Sequence, residues 1–559
     1  MSSNAAPRPW TKVLYPSQSC GNAPTPAMSL LNLNNWPQSL TQSTTKLPPS
    51  IQAVQDSNNA GKTRTLIICL DGTGDQFDDD NSNVVNFVAC LKKDDPNQIT
   101  YYQSGIGTYN EHGLKNGISA AIDMSVGSGL GIHIKDAYRF LMQNYREGDK
   151  ICLFGFSRGS YTVRCLAGML HKVGLLPAHN SAQINFAYNF YKNDSAEGWK
   201  MSREFKKTFC ADVNVYFVGV WDCVASVGFI PRKLPFSKSP TNSIGFFRHA
   251  MALDEHRSKF KVCHFAHSDP ASIPSNARTS RNRRHYLPKA LRKSDRKPEK
   301  KDDANKEKSN TFTMKRVLTF PQLGKEEDDQ EKLEAEFEKS CQKSSPPTDV
   351  LEVWFCGGHA DVGGGAVKNW ERHVLARIPL RWMIRQCFEC NTGILFKTSS
   401  LAETGIDIHS VWPVYKAQER PRVGPSPDHM NKYAEGGFPP LQRRPALMGI
   451  ELDEEGTKLS PGDLLPEQTE DYFDALAPIN DQLKLARMWW LLEFWPVKIR
   501  IQNEASDGWK KVVRLNLGSH RAVRELEPKM HWTVEQRIIE KGYKMHSNVD
   551  RNAIWKVVC

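Results

Sequence analysis

The chain has 559 residues, 39% of them hydrophobic, and a formal net charge of +12; that length calls for one large core with insertions or for more than one domain. Residues 278–316 hold 15 Lys and Arg against 5 Asp and Glu, so +10 of the charge sits in one segment and the basic balance does not imply a nucleic-acid-binding fold. Thirteen scattered cysteines, with Cys69, Cys152 and Cys223 in apolar runs, argue for reduced buried thiols rather than a disulfide framework.

Residues 1–62 are rich in Ser, Pro, Asn, Gln and Thr without periodicity and read as a flexible tail. The opening MSSNAAPRPWTKVLYPS has no apolar stretch of the kind a secretory signal needs, and no run of eighteen apolar residues predicts a membrane span. A cytoplasmic location is therefore expected. From residue 63 the pattern changes. TRTLIICLDGTGDQF is a buried-strand run that ends in a turn-rich loop, NVVNFVACL reads as a helix and QITYYQSG as a strand. In GIHIKDAYRFLMQNY, Ile134, Ala137, Tyr138, Leu141 and Tyr145 keep helical spacing, which predicts one face packed on a sheet. KICLFGFS is the next strand, RGSYTVRCLAGMLHKVG the next helix and VNVYFVGVWDCV the next strand. This alternation predicts an α/β fold, a mostly parallel sheet with helices on both faces.

Residues 268–348 are polar, a basic block followed by the acidic KEEDDQEKLEAEFEK, and are expected to form a disordered charged insertion, at most with a short helix. RTSRNRR and KALRKSDRKPEKK could serve as a nuclear address or as a peripheral contact with an anionic membrane; a solvated loop is the simpler expectation, and nucleic acid is not an expected partner. Strand character resumes at DVLEVWFCGGHADVGGG, which ends in a glycine-rich loop, and PLRWMIRQCFE reads as a helix. Cys387 and Cys390 form a lone C-x-x-C, expected to pack in that helix rather than bind zinc. The α/β domain thus spans residues 63–400, with a mostly helical extension over 401–559 packed on it. Within the extension, NDQLKLARMWWLLEFW predicts an amphipathic helix whose end, MWWLLEFWPV, is buried and stopped by Pro496.

The chemistry centres on Gly155-Phe156-Ser157-Arg158-Gly159, where a strand meets a helix. A G-x-S-x-G sequence in that setting is a nucleophile elbow: the tight turn lifts the serine hydroxyl, and the glycines make room where backbone meets backbone. Asp222 stands at the end of the next strand and His359 after a later one, so the order Ser, Asp, His matches a Ser157–His359–Asp222 triad. Asp361, two residues beyond His359, is either a rival acid or a ligand of the glycine-loop backbone, the latter preferred. Oxyanion donors would be the backbone N–H groups of Arg158 and of Gly72 or Thr73. Asp71, Asp75 and Asp78 lack the regular spacing of a calcium loop, so no metal and no cofactor is expected.

The segments LDGTGDQF, YYQSGIGT, AYRFLMQNYREGDKICLFGFSRGSYTVRCLAGML, GVWDCVASVG, RHAMALDEHRSKF and EVWFCGGHADVGGG, taken in order, resemble the α/β-hydrolase domain related to type VI secretion phospholipase effectors, which has many fungal members. The resemblance implies an α/β-hydrolase fold and a Ser-Asp-His triad at Ser157, Asp222 and His359. It also implies hydrolysis of carboxylic esters, phospholipid or other lipid esters among them. Cys223 stands where Thr is usual and Ala360 where Ser is usual. An idle hydrolase fold that uses the charged insertion as a docking segment is the alternative reading.

Overall fold

In the computed structural model the described residues are 47–559 apart from 60, 62, 73–74, 106–125, 225–233, 238–242, 266–329, 331, 338–346, 451–462 and 503–508. Residues 1–46 of the expected tail and most of the charged insertion, with its basic block, therefore lie outside the described residues. The end of the expected flexible tail is instead built into the fold: Ser50–Gln52 forms a strand paired antiparallel with Leu395–Lys397, because Ile51 and Ala53 bury in the core beside that strand.

Eight strands form one sheet: β1 (Thr65–Leu70), β2 (Gln98–Gln103), β3 (Lys150–Phe156), β4 (Val215–Trp221), β5 (Ile244–Ala252), β6 (Asp349–Phe355), β7 (Lys529–His531) and β8 (Lys556–Val558). Their order is β8-β7-β6-β5-β4-β3-β1-β2, and every pairing is parallel. β1, β3 and β4 read as near-continuous apolar runs because helices cover both faces. In β1, Leu66, Ile68 and Leu70 enter one core and Ile67 and Cys69 the other, the two-residue period of a strand.

On one face lie α1 (Asn83–Cys90) and, later in the chain, Arg377–Glu389; on the other lie α2 (Val126–Asn144) and α3 (Ser157–Val173). Ser82 caps α1 by accepting from Val85 N, which fixes where the loop after β1 ends. Ile134, Ala137, Tyr138 and Leu141 are all fully buried, as their spacing predicts. The order reverses at β1: the chain leaves it outward to β2, then returns through β3 to build the other side. That switch point opens a crevice at the carboxyl ends of β1 and β3, where ligands of such sheets bind.

Three elements differ from the sequence reading or add to it. β5 has no counterpart there, because Arg248 and His249 interrupt its apolar run. Both are paired inside the fold, Arg248 with Asp349 and Gln386 and His249 Nδ1 with Glu352 Oε1 at 2.8 Å. The extension carries helices, α4 (Glu467–Ala475) and α5 (Trp532–Lys541) among them, and it also supplies β7 and β8, which cover the edge that β6 would otherwise leave open. Arg381 and Arg385 of the Arg377–Glu389 helix pair in the interior with Asp471, Asp474 and Glu467 of α4, tying the extension to the sheet. Finally, the stretch expected as one helix with a buried end consists of three short turns, Gln482–Leu485, Arg487–Trp489 and Trp490–Glu493, followed by a hairpin of Pro496–Gln502 and Trp509–Leu515. Only Leu483 and Glu493 of those turns are buried, so most of the apolar residues face outward, contrary to that expectation. No helix among the described residues is long and apolar enough to cross a membrane.

Candidate active site

Ser157 begins α3 directly after β3 with φ +57, a left-handed conformation that a non-glycine residue adopts only when its surroundings enforce it. They do so here by crowding. A Cβ on Gly159 would stand 2.2 Å from Leu70 O, and one on Gly155 would stand 2.7 Å from Gly159 C. Ser160 Oγ locks the turn from between two carbonyls, donating its one proton to Gly155 O at 2.7 Å, with Trp221 O 3.1 Å away.

Asp222 follows β4, is fully buried and also has positive φ, +39. His359 follows β6 across Cys356, Gly357 and Gly358. The loop predicted there is a short helix, His359–Gly363, because Asp361 Oδ2 accepts from Gly358 N at 2.8 Å and caps it. The three side chains converge. His359 Nδ1 lies 2.5 Å from Asp222 Oδ2, and His359 Nε2 lies 2.8 Å from Ser157 Oγ. An ionised carboxylate only accepts, so the Nδ1–H donates to Asp222, leaving Nε2 to accept the Ser157 hydroxyl proton. Burial lowers the pKa of His359 and outweighs the neighbouring Asp222, which keeps the imidazole neutral. Burial works against the charge of Asp222, yet Arg521 and His359 hold its carboxyl far below the ordinary carboxylate range.

Asp361 does not reach His359. Its oxygens accept from Gly358 N, Asn480 N and Asn480 Nδ2, and burial lifts its carboxyl to about 6. Arg158 lies in the first turn of α3, whose N–H groups point out of the helix end. Gly72 N donates to Asp71 Oδ1 at 2.8 Å, and Thr73 lies outside the described residues. The oxygens of Asp71 are taken up by Gly72 N, Ser82 Oγ and Tyr102 OH, and no group of three or more His, Cys, Asp or Glu among the described residues could hold a metal ion. Cys387 and Cys390 are buried as free thiols.

A family profile described as T6SS, phospholipase effector Tle1-like, catalytic domain matches residues 64–386, more than half of the chain. The chain belongs to this family. A Saccharomyces cerevisiae relative, described as uncharacterized protein YEL023C, is 26% identical over 570 aligned positions, covering 87% of this chain and 80% of its own. Among solved structures, an uncharacterized protein from Pseudomonas aeruginosa is 13% identical with TM-score 0.29, over 78% of this chain and 60% of that one. The Tle1 effector bound to the VgrG spike of the type 6 secretion system is 19% identical with TM-score 0.20, over 36% of this chain and 47% of that one. This chain thus spans less than two thirds of either solved chain.

Ser157, Asp222 and His359 all fall inside the family match. The residues that sequence reasoning missed surround them. Arg521, 299 positions beyond Asp222 and outside the match, grips it with both ends of its guanidinium: Nη1 donates to Oδ1 at 2.6 Å and Nη2 to Oδ2 at 2.8 Å. Nothing near HRAVREL distinguishes that arginine from a solvated one. Glu255 accepts from His359 N at 3.2 Å and is itself held by Arg257. Burial opposes its ionisation, and Arg257 brings it down to about 2. Phe260 lies 4.8 Å from the His359 ring, centroid to centroid, and Phe156 4.7 Å. The segment behind β5 held a partial signal: in LDEHR, Glu255 and Arg257 stand directly behind an apolar run, and buried charges of this kind are found paired.

Proposed function

We propose that the chain is a serine ester hydrolase that cleaves lipid esters, phospholipid among them, with residues 63–400 as catalytic domain and 401–559 as an extension that completes the site. The observation that carries this reading is the hydrogen-bonded line from Ser157 through His359 to Asp222 at the carboxyl edge of a parallel sheet. Ser157 Oγ attacks the ester carbonyl carbon while its proton passes to His359 Nε2. The tetrahedral intermediate collapses, the C–O bond to the alcohol breaks, and His359 returns the proton to the leaving oxygen. Water, deprotonated by the same nitrogen, then attacks the acyl carbonyl; the bond to Ser157 Oγ breaks, His359 returns the proton to that oxygen, and the carboxylic acid leaves. Asp222 fixes the tautomer of the imidazole and stabilises its charged form. Arg158 N is the first oxyanion donor. Gly72 N or Thr73 N is the second; in the former case Gly72 N would exchange Asp71 Oδ1 for the oxyanion. The reaction calls on no cofactor.

A fluorophosphonate probe tests the nucleophile, and esters of graded acyl length, from a short soluble ester to phosphatidylcholine, test the substrate class. Labelling at Ser157 that disappears in Ser157→Ala is expected. A well-folded chain that takes up no probe would reject the reading in favour of an idle fold.

A further inference from the structure

Beyond the family match, the turns between Leu483 and Pro496 leave large apolar side chains in water. Leu485, Met488, Leu491 and Phe494 are each 61–67% exposed and Trp495 is 50% exposed. Single exposed apolar residues are ordinary; a run of them on consecutive turns is not. The run continues onto the hairpin. Leu515 pairs with Pro496 and Val513 with Lys498, and Val513, Leu515 and the following Leu517 are exposed as well.

The exposed charges among the described residues of this surface are cations, although Lys484 pairs with the partly buried Asp481 just before it. Lys484, Arg487, Lys498, Lys510 and Arg514 are exposed. Among the described residues of 484–517 the one carboxylate is Glu493, which is buried and accepts from Ser258 N, Asn516 Nδ2 and Gly518 N. An apolar face rimmed, among the described residues, mainly by exposed cations complements a layer whose interior is apolar and whose surface is anionic. The surface also adjoins the chemistry. The Trp489 ring lies 5.3 Å from Phe260, which lies 4.8 Å from the His359 ring, and the Arg257 guanidinium sits over both Phe260 and Trp489. Two rings separate the exposed turns from the imidazole.

We propose that residues 484–502 and 509–517 seat the chain on an anionic phospholipid bilayer, the apolar side chains entering the headgroup–acyl boundary and the Lys and Arg residues meeting lipid phosphates. Delivery of an ester toward Ser157 rests on the hydrolase reading above; the seating itself does not.

Flotation of the full chain with vesicles measures seating without turnover. Phosphatidylcholine vesicles with and without phosphatidylserine are compared for the wild type, for Met488→Ser/Leu491→Ser/Phe494→Ser, and for Lys498→Glu/Lys510→Glu/Arg514→Glu. All six positions are exposed, and melting curves confirm folding. The wild type is expected to float with the phosphatidylserine vesicles. The apolar triple should lose roughly tenfold or more of that partition, and the charge reversal should lose its preference for anionic vesicles. Ser157→Ala protein should float as the wild type does, so failure of the serine chemistry and failure of the docking surface give different results. Three outcomes overturn the proposal: a wild type that does not float, an apolar triple that floats equally well, or a dimer in sedimentation that the apolar triple dissolves while flotation is absent, which would assign the surface to a second copy of the chain.

Discussion

Ser157 and Asp222 stand at the ends of adjacent strands, both at positive φ, yet they are held in opposite ways. What presents Ser157 is mostly local, the two crowded glycines and Ser160 of its own turn, set against the backbone of Leu70 and Asp71 after β1. What presents Asp222 is remote, the bidentate grip of Arg521 from the extension, reinforced by Ala252 N. A nucleophile set by sterics should be replaceable without disturbing the fold. An acid set by a buried charge pair should not, since removing either partner leaves the other uncompensated in the interior.

The largest expected effect is on turnover at the local half. Ser157→Ala should lower ester turnover by about 10⁴-fold or more with little change in the melting curve, and adding His359→Ala should cost little further because triad members act as a unit. Near wild-type turnover by a folded Ser157→Ala chain would remove Ser157 from the mechanism.

The remote half should fail in both readouts at once. Arg521→Met leaves the Asp222 carboxylate buried with only His359 and Ala252 N, and should destabilise the fold by about 3–5 kcal/mol. Asp222→Asn should do comparable damage by leaving Arg521 unbalanced, and should also slow turnover severely by favouring the wrong imidazole tautomer. A double-mutant cycle in denaturant measures the coupling. If Arg521→Met melts like the wild type, the comparison between the two halves is wrong.

This difference also explains what the sequence could and could not reveal. The strands β1 to β4 and the helices α1 to α3 bury their own apolar residues against each other, so periodicity announces them. The Gly155–Gly159 elbow is legible because the glycines that its crowding demands stand two residues either side of Ser157, even though part of what crowds them, Leu70 O, is distant in sequence. β5 is hidden because Arg248 and His249 find partners only after the chain has folded, and Arg521 is hidden because its meaning lies 299 residues away. The turns from Leu485 to Trp495 mislead in a third way. Their composition suits a buried helix, and nothing in a single sequence distinguishes an apolar face destined for the core from one left open.

A pH profile sharpens the comparison further. Burial lowers the pKa of His359 below its ordinary 6.5, so kcat/KM should rise through an acid limb below that value and stay level at neutral pH. The carboxyl of Asp222 is depressed below its ordinary 3.8, so the stability it contributes is present above that value and is lost as pH falls toward the lower folded pKa. Without Arg521 the burial of Asp222 is no longer offset and its carboxyl moves upward. Acid unfolding of Arg521→Met should therefore begin at higher pH than in the wild type. Coincident acid transitions in the two proteins would show that Arg521 does not hold the charge of Asp222.

The smallest effect is expected in the charged insertion, and only in part of it. Residues 330 and 332–337 lie in a short helix. Phe337 is 1% exposed, with its ring 5.3 Å from those of Trp199 and His171 and 5.6 Å from that of Phe236, and Glu334 Oε1 accepts from Phe236 N at 2.8 Å. This end of the insertion is built into the face of α3, so Phe337→Ala should cost about 3 kcal/mol through the cavity it leaves. The basic stretch before it is different in composition, with few apolar residues to bury. Deleting residues 276–326 keeps the Phe337 anchor and shortens only the connection to β5, a change whose entropy grows slowly with length. Stability should then shift by less than about 1 kcal/mol, and turnover on a soluble ester should be retained. The check is a pair of denaturant titrations. A deletion that destabilises as much as Phe337→Ala would place the basic stretch within the folded core, and a Phe337→Ala chain as stable as the wild type would release the whole insertion from it.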